Sequence, residues 1–89
     1  MSTPISTEEV LIPKKNLALI LAVQRAEKAE TVIIRRYTDK LFRVLDAEYN
    51  PLVNIKHEDL AFLTGKGILK DLGRDNLYRF NKEAKYKTA

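Results

Sequence analysis

Between Lys14 and Asn50 the chain contains neither glycine nor proline. Glycine reaches left-handed backbone conformations at little steric cost, and proline cannot continue a helix or donate to a sheet ladder. A stretch lacking both is expected to run through long regular elements. The three glycines, Gly65, Gly67 and Gly73, all come later, and the prolines stand at Pro4, Pro13 and Pro51. This punctuation leaves an opening segment, an uninterrupted middle and a glycine-marked C-terminal third.

Within the middle, Lys14 to Glu30 reads as a helix. Leu17, Ile20, Leu21, Val23 and Ala26 form an apolar stripe at helical spacing, and helix formers dominate. Leu19 widens the stripe, so burial on more than one side is expected. Leu17, Leu19 and Leu21 are also the candidates for a protein interface, since leucine-rich surface that one small domain leaves uncovered tends to bury against another chain.

Thr31 to Tyr49 has two readings. As a helix, Ile34, Tyr37, Leu41, Leu45 and Tyr49 recur every three or four residues, with Arg36, Lys40 and Arg43 along a neighbouring face. As a hairpin, the β-rich run from Thr31 to Tyr37 turns at Thr38 and Asp39 and returns through Lys40 to Asp46. The turn lacks glycine or asparagine, and the strand faces mix Arg with Ile and Val, so the helix is preferred. Asn50 and Pro51 then end the element, and Leu52 to Ile55 reads as a short strand or buried connector able to pair with the C-terminal hairpin.

From His57 the pattern changes. Leu60, Phe62 and Leu63 follow the acidic pair Glu58 and Asp59, which suits the first turn of a helix because carboxylates there meet the positive end of the macrodipole. Gly65 and Gly67 stop that helix near Thr64 to Lys66. Ile68, Leu69 and Leu72 lead into the turn formers Gly73, Arg74, Asp75 and Asn76, and Leu77 to Phe80 returns as a second strand. A helix passing through glycine into a hydrophobic strand, a basic turn and a strand with Tyr-Arg-Phe resembles the end of a winged helix-turn-helix domain, over residues 57 to 82. The resemblance implies a recognition helix from His57, a wing tip at Gly73 to Asn76 and double-stranded DNA as partner. The expected fold is α+β, mainly α, with about three helices and a C-terminal β-hairpin.

Eighty-nine residues make one small domain, here 14–82 between an N-terminal arm (1–13) and a basic tail (83–89). Ser6 and Glu9 fit a capping box for a single helical turn in the arm. A homodimer would enlarge so small a core. Sixteen Lys and Arg against twelve Asp and Glu give +4, with eight basic against five acidic residues from Pro51 onward. The excess favours polyanions. The candidate phosphate contacts are Lys56, Lys66, Lys70, Arg74 and Arg79, joined by Arg36, Lys40 and Arg43 if these lie on the same side. Tyr86 in the tail could stack on a base.

Enzymatic chemistry finds no footing. Cysteine is absent, which removes thiolate metal sites, disulfides and a cysteine nucleophile. His57, Glu58 and Asp59 are consecutive, so on a helix they point apart and cannot converge on one ion. The Gly-Lys pair of Thr64 to Gly67 lacks the longer glycine-spaced run and following Ser or Thr of a phosphate loop. The expectation is a non-enzymatic, cofactor-free, cytoplasmic nucleic-acid-binding protein, a DNA-binding transcriptional regulator or accessory factor. The alternative is a small adaptor or inhibitor that binds protein through the first helix.

Overall fold

The computed structural model describes residues 9–88, so Ser6 of the expected capping box lies outside them. Nine elements follow one another: β1 (Val10–Ile12), α1 (Leu17–Ala29), β2 (Thr31–Arg36), β3 (Leu41–Leu45), β4 (Pro51–Lys56), α2 (His57–Gly65), β5 (Leu69–Asp71), β6 (Leu77–Phe80) and β7 (Tyr86–Thr88). The expectation of a mainly α, three-helix, winged-helix-like domain is overturned. Two helices make up 28% of the structure against 38% strand.

The correction is local to Thr31–Tyr49, which forms the hairpin β2–β3 and not a helix. Two residues supply what the missing glycines would have. Glu30, at φ 69°, takes the left-handed turn that ends α1, and its N–H donates to the Ala26 carbonyl. Thr38 closes the hairpin end, its Oγ1 accepting from the backbone N–H groups of Lys40 (3.2 Å) and Leu41 (3.1 Å). The Glu30 backbone and the Thr38 hydroxyl thus do work that glycine usually does.

β4, β3, β2, β6 and β5 lie side by side in that order, every pair antiparallel. The 52–55 segment belongs to edge strand β4 and pairs with β3, not with the C-terminal hairpin. Pro51 starts that edge strand, where a missing N–H is tolerated. The expected hairpin of the C-terminal third does form as β5–β6, docking on β2.

Both helices lie on one face. Leu19, Val23 and Ala26 of α1 and Leu60 and Leu63 of α2 share a buried cluster with Val32, Ile34, Val44, Ile55 and Phe80 of the sheet. Leu19, expected at a protein interface, is therefore a core residue, whereas Leu17 and Leu21 are exposed. Arm and tail residues pair in parallel, Val10 with Tyr86 and Ile12 with Thr88. The Tyr86 hydroxyl donates to Glu27 Oε1 at 2.6 Å, and burial followed by that carboxylate pushes its pKa up to about 12. Its ring is committed to the fold.

Candidate nucleic-acid interface

Side chains alternate across a strand, so the sheet face opposite the helices is fixed by register. Val32 and Ile34 point at the helices; Thr31, Ile33 and Arg35 point away. The partner strands extend that outward face into cross-strand rows. Lys70 lies opposite Arg79, which lies opposite Thr31. Next comes an apolar row in which Ile33 pairs with Leu77 on one side and Leu45 on the other. Arg35 pairs with Arg43, and Arg43 with Asn54; Leu41 pairs with Lys56.

None of these outward strand positions holds a carboxylate, while five hold a cation: Arg35, Arg43, Lys56, Lys70 and Arg79. Two of the direct pairs, Arg35 with Arg43 and Lys70 with Arg79, are like-charged, an arrangement that destabilises a sheet. Among the described residues, only Lys56 of the five has an acidic partner within ion-pair distance, Glu58 at 3.9 Å. The sequence thus retains a concentration of positive charge that works against its own sheet.

Aromatic rings flank the arginines. The Arg43 guanidinium carbon lies 3.6 Å from the Tyr37 ring centre, and Arg43 Nε donates to Asn54 Oδ1 at 3.3 Å. Arg35 lies 5.6 Å from the ring centre of Tyr49, which belongs to the β3–β4 turn. Tyr37 and Tyr49 are 50% and 61% exposed, whereas Ile33 and Leu45 between the cationic rows are only 7% and 2% exposed. The face has a covered apolar row at its middle, cationic borders and two accessible rings.

Tyr49 sits at φ 67°, a left-handed conformation that glycine or asparagine adopts more cheaply than an aromatic residue. Asp46 secures this turn. Its carboxylate accepts from the backbone N–H of Glu48 (2.9 Å), the backbone N–H of Asn50 (2.9 Å) and the Asn50 side-chain amide (3.2 Å). The Asn50 backbone N–H, ahead of the other two donors, holds the carboxyl below its ordinary value of 3.8. A depressed carboxylate pKa adds stability that is present above the unfolded value and lost as pH falls through the folded one. Acidification is therefore expected to release the turn below about pH 4. The amide proton resonances of Glu48 and Asn50 should move together with a midpoint under 3.8, while that of Val32 in the core stays fixed.

At the far end of the face, Leu41 and Lys56 also line an open cleft of about 690 Å³, together with Thr38, Asp39, Lys40 and Glu58. His57 lines it as well and stacks on Phe42, with ring centres 4.3 Å apart. Among the described residues His57 Nε2 is buried without a hydrogen-bond partner.

Of the phosphate contacts expected from sequence, Lys56, Lys70, Arg79 and Arg43 come together on the open face. Arg74 is in the β5–β6 turn, and Lys40 is in the β2–β3 turn at the cleft. Arg36 pairs with Phe42 on the helix-side parity, and Lys66 caps the C-terminal end of α2, so neither joins the outward rows. Arg35, Tyr37 and Tyr49, absent from those expectations, also lie on or beside this face. Their signal was the hairpin reading, in which positions 35 and 43 fall opposite each other about Asp39. No protein-family model, curated protein or solved structure matches the chain.

Proposed function

We propose that this protein binds nucleic acid, receiving phosphates on the open face of its five-stranded sheet. The observation that carries the reading is the carboxylate-free set Arg35, Arg43, Lys70 and Arg79, held in two like-charged cross-strand pairs. An anionic ligand relieves that repulsion, so the free energy the sheet forgoes when empty returns on binding. The helix expected to read DNA offers little by comparison: His57–Gly65 contains no Lys or Arg, carries Glu58 in its first turn, and buries Leu60 and Leu63 in the core.

The test is fluorescence anisotropy with labelled random-sequence oligonucleotides at two salt concentrations. Four phosphate contacts give an expected slope of log affinity against log salt of about −3 to −4. A flat dependence, or no binding at low salt, would discard the reading.

A further inference from the structure

Resting on that reading, we infer that the ligand is single-stranded nucleic acid, whose unpaired bases stack on Tyr37 and Tyr49 while its phosphates meet the flanking arginines and lysines.

Three features of the face point to bases as well as phosphates. Between the Lys70–Arg79 row and the Arg35–Arg43 row lies an apolar row, Leu77, Ile33 and Leu45, and hydrocarbon offers nothing to the phosphate exterior of a duplex. Ile33 and Leu45 are already covered and only Leu77 is part-exposed, so this row marks an uncharged middle over which a single strand can turn its bases while its phosphates keep to the charged borders.

The rings are the second feature. Each lies over a guanidinium, at 3.6 Å for Tyr37 and 5.6 Å for Tyr49, and each is at least half exposed. This orders a ring and a phosphate-binding cation as one unit, with the ring available to a base. Tyr49 keeps its aromatic side chain at a backbone position that favours glycine or asparagine. Such an outlier motivates a functional reading of the side chain.

Third, the cleft shared by Leu41 and Lys56 is lined by both carboxylates and lysines, Asp39 and Glu58 with Lys40 and Lys56. Carboxylates repel phosphate but accept hydrogen bonds from the amino and imino groups of a base edge. Of these, the imino N–H is free only in an unpaired base, whereas a duplex still shows amino N–H groups in its major groove. The chemistry described belongs equally to DNA and RNA, so both are used as probes.

The experiment measures anisotropy of fluorescein-labelled oligothymidylate and oligouridylate of twenty nucleotides and of a twenty-base-pair duplex, at one salt concentration. At least one single strand is expected to bind about tenfold or more tightly than the duplex. Tyr37→Leu and Tyr49→Leu should each weaken single-strand binding roughly ten- to a hundredfold, with Tyr→Phe at either position restoring it to within about threefold. Duplex affinity should hardly change, because each leucine variant leaves the partner arginine in place. Tyr49→Gly guards against misfolding as the explanation: it should match or exceed the parent in thermal midpoint, yet bind single strands as weakly as Tyr49→Leu.

A duplex bound as tightly as both single strands, or single-strand affinity indifferent to loss of the rings, would overturn the inference while leaving polynucleotide binding in place. Failure of all three probes to bind would overturn the nucleic-acid reading itself. Heparin bound as tightly as the single strands would overturn the role of bases, since heparin presents charge without aromatic rings.

Discussion

Asp59→Ala is expected to destabilise the fold by about 2–3 kcal/mol, because one buried carboxylate fastens the starts of both helices. Asp59 Oδ1 accepts from the Asn16 side-chain amide at 2.9 Å, and Oδ2 accepts from the Lys56 backbone N–H at 3.2 Å. Asn16 is itself the N-cap of α1, its Oδ1 accepting from Leu19 N–H at 3.0 Å. Removing the carboxylate strands the Asn16 amide hydrogens and frees the cap to rotate away from α1. It also takes negative charge from the first turn of α2, where the macrodipole favours it. For a domain of this size the loss corresponds to a fall in thermal midpoint of roughly 10–20 °C. Asp59→Asn keeps an oxygen for one of the two donors and should lose about half as much. Thermal and urea unfolding followed by circular dichroism checks both, and a loss below about 0.5 kcal/mol for the alanine variant would mean that the two helices dock without this link.

Sequence alone located what apolar periodicity and punctuation encode jointly. The helix expected over Lys14 to Glu30 forms as Leu17–Ala29, starting three residues later because the Asn16 side chain caps it. The helix at His57 and the turn at Gly73 to Asn76 also stand, each marked by a carboxylate pair or a glycine. The middle was misread for a specific reason. Ile33 and Leu45 are buried although they face away from the helices, so Val32, Ile33 and Ile34 form an apolar run in place of the alternation that identifies a half-buried strand. Helical spacing from Ile34 to Tyr49 then fitted by default. The same error hid the proposed site, since on a helix Arg35 and Arg43 stand about 12 Å apart along the axis, whereas in the hairpin they are direct neighbours. Backbone turns made by Glu30 and Thr38, without glycine, left no mark that a local rule detects.

Because those neighbours define the proposed interface, reversing one member of each like-charged pair separates binding from stability. Arg43→Glu combined with Arg79→Glu is expected to weaken polynucleotide binding at least a hundredfold near 0.1 M salt. Two phosphate contacts become two repulsions, and the salt slope for a single strand should flatten by about 1.4 units. The fold faces the opposite pressures. Each reversal turns a like-charged cross-strand pair into an oppositely charged one, favourable by about 0.2–1 kcal/mol. Against this stand loss of the Arg43 contact with Tyr37, worth roughly 0.5–1 kcal/mol at an exposed site, and of its exposed hydrogen bond to Asn54, so stability should stay within about 1 kcal/mol of the parent. Lys14→Glu with Lys66→Glu makes the same change in net charge at positions outside the outward rows, and should cost less than tenfold in affinity through the long-range field alone. Equal losses for the two double variants would show that net charge, not the sheet face, governs association. A stable Arg43→Glu, Arg79→Glu protein that binds like the parent would remove the face from the account altogether.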